Sequence, residues 1–417
     1  MVESGKRWLL HAGLALAVFG VAPAALAQQS SIRLQCPEDG WNNPGHQGDG
    51  RVVYGEDGDV DLPGVVCIHL AAGDGFVRMA DGKTQYMFGF SRIPLSVSDP
   101  NEIMDLGTLA ANFPAPTITV DEGDEVYLTL TNVGMVIRPD LFDPHSIHWH
   151  GFPQAAAVFD GVPESSIVIS MGASFTYYYK ANDPGTYMYH CHVEATEHMQ
   201  MGMLGNLYVR PKQNQLPPIG GHSKFAYNDG DGSTWYDVEY PIQMTSFDPN
   251  FHDASFNVQP LPFADMNDKY WMLNGRGYPQ TARQLPLPPP TEDPNGDPLD
   301  FEAKVSQSVT SRVSATAGQK ILLRLSNLSV TDYGTIGTLG IPMKVVGRDA
   351  RRLVGDDNVA QYYTTNSVTL GGGESADVIL DTAGVAPGTY FLYTTNLHRL
   401  ANADENFGGQ MTEIVIN

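Results

Sequence analysis

An internally repeated strand pattern is the feature that most constrains the fold of this chain. Short alternating runs rich in Val, Ile, Thr and Tyr recur between turns of Gly, Pro, Asn and Asp, and such alternation is typical of strands with one buried face. The segment 120–132 is echoed at 317–327, and the sequence Pro-Gly-Thr-Tyr occurs at both 184–187 and 387–390. The repeat predicts an all-β chain with two related β-sandwich domains.

The domain boundaries are predicted from turn-rich stretches and from the ends of the repeat. Residues 106–211 form the first predicted domain and residues 235–417 the second, with a linker rich in Pro, Gly and Asp at 212–234. Residues 28–105 are predicted to be an irregular N-terminal extension, because acidic Gly-rich loops interrupt them. The length of 417 residues is ample for this arrangement.

Residues 1–27 have the pattern of a signal peptide. Lys6 and Arg7 precede an apolar run, and the sequence Ala-Leu-Ala at 25–27 matches a small-residue cleavage site. We therefore expect the mature protein to be exported, to a periplasmic or secreted location. No later segment is apolar over the roughly 20 residues that a transmembrane helix needs, so no membrane span is predicted.

The charge balance limits the partners that this chain can have. It carries 47 Asp and Glu residues against 24 Lys and Arg, for a formal net charge of −23. A polyanion such as nucleic acid is repelled by a surface of this sign. The composition therefore predicts no nucleic-acid binding and favours neutral or cationic partners.

The cysteine count indicates that at least one cysteine is unpaired. Three cysteines are too few for a disulfide scaffold, and their odd number leaves at least one outside any intramolecular pair. In the oxidising compartment that export implies, Cys36 and Cys67 can form a disulfide near the mature N-terminus. This pairing leaves Cys191 as an unpaired thiol, and Cys191 lies within a cluster of histidines.

Six of the 12 histidines fall in two short clusters, at 145–150 and 190–198. Residues two apart on a strand share a face, whereas adjacent residues point to opposite faces. His145 therefore faces away from the other two histidines of its cluster, and Cys191 faces away from the two histidines that flank it. Each strand offers one potential metal ligand to one face and two to the other.

The face with Cys191 predicts a blue-copper site. His145 and Cys191 can converge inside the sandwich, and the chain after Cys191 returns His198 and then Met203 to the same place. Two imidazoles, a thiolate and a weak thioether ligand are the ligand set of blue-copper electron-transfer centres. A single buried His or Met is usually a core residue, so the prediction depends on all four occurring in this order and parity.

The opposite face predicts a second copper site. It holds four imidazoles, those of His148, His150, His190 and His192, and a small apolar core cannot satisfy so many polar rings. A site at a domain or subunit boundary is the natural interpretation. Because Cys191 is joined through the main chain to both His190 and His192, an electron at the first site has a short covalent route to the second.

These residues occur in motifs that resemble the multicopper oxidase superfamily of laccases and their relatives. The sequences at 148–151, 160–163 and 185–192 are similar to the first domain of a laccase, and 198–203 is similar to the end of the family's blue-copper domain. The resemblance implies two cupredoxin-like Greek-key β-sandwich domains with copper as the cofactor. It implies type 1 copper on His145, Cys191, His198 and Met203, and type 2 and type 3 copper, with the catalytic role, on His148, His150, His190 and His192.

Departures from the family pattern concern the ligand loop and the second site. Six residues separate Cys191 from His198 where laccases usually have fewer, so we expect a longer ligand loop. A trinuclear oxygen-reducing cluster needs a second set of paired histidines, and the second domain resembles the copper-free middle domain of laccases instead. Where such a pair could stand it has Thr-Thr-Asn at 394–396, with His398 as the nearby candidate ligand.

The leading functional hypothesis is an exported copper-dependent oxidase. A small-molecule, metal-ion or redox-protein donor gives one electron at a time to the type 1 copper, and Cys191 passes it through His190 or His192 to a second copper centre that reduces dioxygen. The enzyme alternative is a trimer resembling copper nitrite reductase, with type 2 copper bound by His150, His190 and a neighbouring subunit's His398. The non-enzymatic alternative is a cupredoxin for electron transfer or copper handling. A second site between subunits predicts a homo-oligomer.

Overall fold

The structure is a computed structural model and describes Cys36, residues 51–52 and residues 64–417. The predicted signal peptide, residues 1–27, lies outside the described residues, as does most of the predicted extension up to residue 63. A disulfide joins Cys36 to Cys67 and leaves Cys191 as the free cysteine. None of the helices in the described ranges is both long and apolar enough to cross a membrane.

Two sheets form a first sandwich. One contains β1 (Arg51–Val52), β2 (Val65–Arg78), β3 (Thr84–Arg92), β5 (Glu125–Gly134) and β7 (Ser174–Lys180), in the order β1-β2-β5-β7 with β3 also paired to β2. The other contains β4 (Ala115–Asp121), β6 (His148–His150), β8 (Gly185–His190) and β9 (Leu204–Arg210), in the order β4-β9-β8-β6. Their facing side chains form one buried apolar core, in which Leu70 and Leu128 of the first sheet join Ile118 and Val209 of the second.

The first sandwich includes chain for which the sequence predicts an irregular extension. β2 pairs in parallel with β5 from Val65 to Gly73 and antiparallel with β3 from Leu70 to Arg78. Every residue of β2 except Arg78 is buried. A strand covered on both faces lacks the alternation of a half-exposed strand, which explains why the segment 65–78 has no recognisable strand pattern.

Two further sheets form a second sandwich. One contains β10 (Val238–Phe247), β11 (Tyr270–Leu273), β13 (Lys320–Asn327), β15 (Met343–Arg348), β16 (Arg351–Arg352), β17 (Tyr363–Thr365) and β19 (Ser375–Asp381), in the order β11-β10-β13-β19-β15-β16 with β17 paired to β15. The other contains β12 (Val313–Ala315), β14 (Gly334–Thr338), β18 (Ser367–Leu370), β20 (Gly388–Thr394) and β21 (Met411–Ile416), in the order β12-β21-β20-β14-β18. Leu323 and Val378 of one sheet share a buried core with Leu392 and Ile414 of the other.

The two sandwiches repeat one topology. The pairs β2–β5 and β10–β13 are parallel, as are β4–β9 and β12–β21. The pairs β5–β7 and β13–β19 are antiparallel, as are β8–β9 and β20–β21. This correspondence accounts for the repeated sequence pattern, and the predicted all-β class is confirmed.

The helices of the described chain are short and lie between strands. They are α1 (Pro100–Gly107), α2 (Ala195–Gln200) and α3 (Pro249–Phe256), and single 3-10 turns occur at 157–159, 212–215, 263–265, 280–282 and 397–399. α1 and α3 each follow an aspartate, Asp99 or Asp248, whose side chain accepts a hydrogen bond from the backbone N–H two residues on. Such N-caps stabilise a helix start. α2 connects β8 to β9 and carries His198.

The two sandwiches share a buried interface beside β8. Met188 of β8 packs in one apolar cluster with Phe247 of β10. The Thr186 hydroxyl donates to Oδ1 of Asp377 at 2.6 Å, and Nη1 of the fully buried Arg324 lies 3.4 Å from the same oxygen. The strand that leads to Cys191 is therefore fixed against the second sandwich by both apolar and polar contacts.

Candidate metal centres

The strand register places the histidine clusters side by side. β6 and β8 are antiparallel neighbours, with His148 opposite His190 and His150 opposite Met188. Because side chains alternate between the faces of a strand, the histidines of this pair project to one side and Cys191 to the other. The division of ligands that the sequence predicts therefore matches the register of two paired strands.

The first group consists of His145, Cys191 and His198, whose potential ligand atoms lie within 4.8 Å of one another. The Sγ atom of Cys191 lies 3.2 Å from Nδ1 of His198 and 3.9 Å from Nδ1 of His145. All three side chains are 0% exposed. The equivalent nitrogen of each ring thus faces the sulfur inside the core of the first sandwich.

Main-chain hydrogen bonds hold the first group in place. His145 exchanges two backbone hydrogen bonds with Ile169, at 3.0 and 2.8 Å. The backbone N–H of Cys191 donates to the carbonyl oxygen of Met203 at 3.1 Å, and that of Met203 donates to the carbonyl oxygen of His198 at 2.9 Å. Met203 is fully buried. The chain after Cys191 therefore returns to it, as predicted, and brings Met203 next to it along the backbone.

The electrostatics of the two histidines in the first group differ. Burial holds the pKa of His145 well below its ordinary value. Burial also lowers the pKa of His198, but the charge of Cys191 and the nearby Asp143 outweigh that effect and raise it to about 10. The Nε2 atom of His198 lies 3.7 Å from Oδ2 of Asp143. The ring is thus oriented with Nε2 towards a carboxylate and Nδ1 towards the sulfur.

The residues of the first group fit a copper ion. The donor set combines a thiol sulfur with two imidazole nitrogens, and soft sulfur with imidazole is the combination that copper of the blue type takes. Nε2 of His145 is buried with no hydrogen-bond partner among the described residues, so Nδ1 is the nitrogen with a defined neighbour. Copper at this place would accept and release single electrons.

The second group consists of His148, His150 and His190, whose potential ligand atoms also lie within 4.8 Å of one another. Nδ1 of His150 lies 3.2 Å from Nε2 of His190. Nδ1 of His148 lies 2.6 Å from the carbonyl oxygen of Asp160, and Nδ1 of His190 lies 2.8 Å from that of Cys191. A ring that donates one N–H to a carbonyl presents its other nitrogen as a metal ligand, so Nε2 is the nitrogen of His148 and of His190 that could bind a metal.

The fourth predicted imidazole lies next to the second group but outside it. The ring of His192 is 5.2 Å from that of His148 and 5.7 Å from that of His190, measured between ring centroids. Its backbone N–H donates to the hydroxyl of Ser146 at 3.2 Å. The structure therefore brings three of the four predicted histidines together and leaves His192 at the edge.

The histidines of the second group favour the neutral form that metal ligation requires. Burial lowers the pKa of His190 to about 3, because its ring is almost completely enclosed. Burial also lowers the pKa values of His148 and His150, although the carbonyl and carboxylate of Asp160 oppose the effect on His148. Three neutral imidazoles whose potential ligand atoms lie within 4.8 Å of one another fit a copper ion.

The second sandwich borders the second group. His150 lies in a cleft of about 250 Å³ that is also lined by Asp349, Gly373 and Glu374. Gly373 adopts φ +88°, and a Cβ atom built on it would lie 2.5 Å from Nε2 of His150. Sequence reasoning did not identify Gly373. The run of three glycines at 371–373 was the available signal, because such a run suits close backbone approach.

His398 does not join either group within one chain. It is exposed, its ring lies 6.3 Å from that of Trp271, and it lines a separate cavity of about 450 Å³ together with Asp268, Asp332 and other residues of the second sandwich. The two groups in the described ranges thus draw all their members from the first sandwich.

Family models and solved structures show what this chain is similar to. Two models described as multicopper oxidase match residues 98–214 and 257–414. The blue copper oxidase from Nitrosomonas europaea is similar with a TM-score of 0.61 and 23% identity, over 84% of this chain and 86% of that one. A copper nitrite reductase from the same organism is similar with a TM-score of 0.54 and 19% identity, over 85% of this chain and 94% of that one. At these identities the likeness concerns the fold.

Curated relatives match in sequence over shorter stretches. A multicopper oxidase named MCE from Talaromyces pinophilus is 38% identical over 117 residues, which are 28% of this chain and 18% of the relative. Laccase-13 from Arabidopsis thaliana is 26% identical over 309 residues, 71% of this chain and 43% of the relative. The chain thus spans less than half the length of these relatives. The fold and the two groups define a cupredoxin-type copper protein, and the chain belongs to the multicopper oxidase family, whose members bind copper.

Proposed function

We propose that this protein is an exported copper-dependent oxidoreductase that oxidises a donor by single electrons at the first group and reduces dioxygen at the second. The observation that carries the proposal is the shared position of the two groups. Cys191 supplies the sulfur of the first group, and its sequence neighbour His190 belongs to the second. Copper bound at the first group would take up electrons singly, and copper at the second would deliver them to dioxygen.

The residues of the first group would bind a copper ion and enclose it. Because His145, Cys191 and His198 are fully buried, they exclude water and any donor from direct contact with the ligand atoms. A donor therefore needs to approach the surface above the site rather than enter it. The His190–Cys191 peptide is the covalent link between the groups, and the hydrogen bond from Nδ1 of His190 to the Cys191 carbonyl, at 2.8 Å, adds a contact between them.

The residues of the second group would bind a copper ion at a more accessible place, where their rings are held in orientation. The carbonyl of Asp160 fixes the ring of His148, and the cleft beside His150 gives a small molecule a route to the group. This difference in access supports the assignment of dioxygen to the second group. The acidic composition, with a net charge of −23, favours a neutral or cationic donor among small molecules, metal ions and redox proteins.

The decisive experiment is to count copper per chain and to classify it by electron paramagnetic resonance. The oxidase predicts a type 1 signal plus a coupled type 3 pair, with oxygen consumption that requires donor. Replacement of His148 by Ala should leave the type 1 signal and abolish most of the oxygen consumption. A type 1 signal with no further copper would contradict the oxidase and leave electron transfer or copper handling.

A mononuclear second centre is the second candidate, because three histidines rather than four form the second group. Such a centre would suit a nitrite reductase in which a symmetric homo-oligomer, for example a trimer, completes the site with His398 of a neighbouring subunit. A single type 2 signal, nitrite consumption in the absence of oxygen and loss of both on His398→Ala would support this candidate. Sedimentation of the copper-loaded protein as a monomer would exclude it.

A further inference from the structure

The ligand loop, residues 192–203, depends on contacts outside itself. Its helix, α2, has six residues and follows Glu194, which adopts a left-handed backbone at φ 44° and supplies no side-chain cap among the described contacts. A helix this short is unstable on its own, and the left-handed region is unfavourable for a residue with a Cβ atom. The segment that carries His198 and Met203 therefore needs other parts of the molecule to hold it.

Gln200, the last residue of α2, connects the ligand loop to the second sandwich. Its side chain is completely buried, and Nε2 donates to Oδ1 of Asp268 at 2.9 Å. Its carbonyl oxygen lies 3.0 Å from Nε2 of His252 in α3. Because both partners come from the chain between β10 and β11, one residue of the loop contacts two positions of the second half of the molecule.

Asp268 is itself firmly held. It is 7% exposed, and its Oδ2 atom accepts hydrogen bonds from the hydroxyls of Ser246 on β10 and Thr331 before β14. Each carboxylate oxygen thus has a defined role, one towards the second sandwich and one towards Gln200. A hydrogen bond to a buried carboxylate is stronger than one between neutral groups, so Asp268 is a rigid acceptor for the loop.

A packing contact at Gly202 points to the same connection. Gly202 adopts φ +114°, and a Cβ atom built on it would lie 2.9 Å from the carbonyl oxygen of Phe88 and 3.4 Å from the ring of Phe247. Phe88 belongs to β3 and Phe247 to β10. The turn between His198 and Met203 is therefore enclosed by both sandwiches.

We propose that Gln200 is a positioning residue for the first group, through which the second sandwich holds the ligand loop in register with Cys191. When the Gln200–Asp268 hydrogen bond is broken, the loop opens, and His198 and Met203 lose their fixed positions relative to Cys191. The second sandwich supplies no member of either group in the described chain, so its influence on the first group is one of position rather than ligation.

The first test needs no metal. Cys191 is fully buried and is the free cysteine beside the Cys36–Cys67 disulfide, so a thiol reagent applied to the metal-free native protein reports how often the surroundings of Cys191 open. Gln200→Ala removes a hydrogen bond to a buried carboxylate and should raise the labelling rate about tenfold or more. An unchanged rate would overturn the proposal.

A matched control separates local opening from loss of overall stability. Gln307 is also buried and also joins distant segments, because it accepts from the backbone N–H of Arg78 and donates to the carbonyl of Gly275. Gln307→Ala should lower the denaturant midpoint while leaving labelling of Cys191 close to that of the parent protein. If Gln200→Ala and Gln307→Ala have equal free energies of unfolding and label Cys191 at equal rates, the loosening is general. That result would overturn the role of Gln200.

A reciprocal exchange tests the hydrogen bond itself. Gln200→Glu places a carboxylate against that of Asp268 and should accelerate labelling. Adding Asp268→Asn returns a donor to the pair, while the amide oxygen still accepts from Ser246 and Thr331. The double variant should therefore label more slowly than Gln200→Glu alone, and failure of this rescue would contradict the proposal.

The consequence for copper rests on the proposed function and is measured separately. In the copper-loaded protein, Gln200→Ala should shift or weaken the thiolate-to-copper absorption at about 600 nm, whereas Gln307→Ala should preserve it. If the parent protein has no such absorption, the proposed copper function fails, and the labelling rates still decide whether Gln200 positions the loop. A normal absorption in Gln200→Ala would overturn the positioning role.

Discussion

The two candidate metal groups lie on opposite sides of the strand pair β6–β8, yet the protein encloses them differently. The side chains of His145, Cys191 and His198 are fully buried in the first sandwich, whereas His148 and His150 are half-buried and His150 opens into a cleft bordered by the second sandwich. Electrons cross a layer of protein, but a small molecule needs an opening. On the proposed function, one strand pair would serve both kinds of chemistry because only one of its faces is fully covered.

The largest effect is expected from removing the sulfur of Cys191, which should change the first group and leave the second group intact. Cys191→Ser takes away the soft ligand of the first group while the backbone carbonyl that contacts His190 remains. We expect complete loss of the absorption at about 600 nm that thiolate-bound copper produces, with copper still bound at the second group. Absorption and copper content of the purified variant measure this, and a persistent band would show that the ligand assignment is wrong.

The next largest effect is expected from a substitution in the second sandwich that disturbs the second group. Gly373→Ala adds a Cβ atom that would lie 2.5 Å from Nε2 of His150, at a backbone φ of +88°. We expect a loss of roughly 3 kcal/mol in the free energy of unfolding, from left-handed strain and overpacking together, and a loss of copper from the second group alone.

Gly384→Ala is the matched control for this prediction. Gly384 has a similar φ of +77°, and a Cβ atom there meets nothing within 4 Å among the described residues. Gly384→Ala should lower the free energy of unfolding only by the cost of a left-handed backbone, about 1–2 kcal/mol. Both groups should keep their copper. If both variants lose second-group copper equally, then the contact with His150 is unimportant.

A smaller effect is the pH dependence of stability that His69 contributes. It separates the acid sensitivity of the fold from the acid sensitivity of copper binding at the two groups. Burial lowers the pKa of His69 in β2 to about 4, and its Nε2 lies 2.8 Å from the hydroxyl of Thr131. Because the unfolded ring titrates near 6.5, the fold favours the neutral ring. Its contribution is complete above pH 6.5 and is lost as the pH falls towards 4, by up to about 3 kcal/mol.

The variant His69→Gln removes this titration and keeps a polar partner for Thr131. Its free energy of unfolding, from urea denaturation at several pH values, should fall less steeply below pH 6.5 than that of the parent protein. Parallel slopes would mean that His69 is not the neutral buried group described above. Copper release measured in the variant then reports the acid sensitivity of the two groups with less interference from unfolding.

The smallest effect concerns the side of His198 that faces away from the sulfur. Asp143→Asn removes the carboxylate 3.7 Å from Nε2 of His198, but Nδ1 is the nitrogen that faces Cys191. We expect the absorption at about 600 nm to keep its position and the free energy of unfolding of the metal-free protein to fall by about 1 kcal/mol or less, because Asp143 is partly exposed. A lost band would indicate that Nε2 is the ligand atom.

The placement of the candidate site residues on two strand faces was more predictable from the sequence than the contacts around them. The division of His148 and Cys191 between two faces follows from the two-residue period of a strand, which is a local property, and the register of β6 and β8 agrees with it. The approach of Gly373 to His150 and the bond between Gln200 and Asp268 join residues far apart in sequence. No local pattern encodes such pairs, since they depend on how the two sandwiches pack.

The fold shows the same limit. β5 largely falls within the repeated segment 120–132, and its first half alternates between half-buried and buried residues, whereas β2 is buried along nearly its whole length. Its sequence at 65–78 mixes apolar residues with Gly, His and Asp, and only the sheet around it makes this mixture a strand. The prediction of an extension up to residue 105 reflects that missing signal.

If Gln200 positions the ligand loop as proposed, its bond with Asp268 also implies an order of events during synthesis. His145, Cys191 and His198 leave the ribosome before the chain that contains Ser246, Asp268 and Thr331, and domains fold as their sequence becomes available. A nascent first sandwich can therefore pair its strands while its ligand loop is still unsecured. On the proposed role of Gln200, a metal ion would meet a fully formed first group only after the second sandwich has been made and has docked.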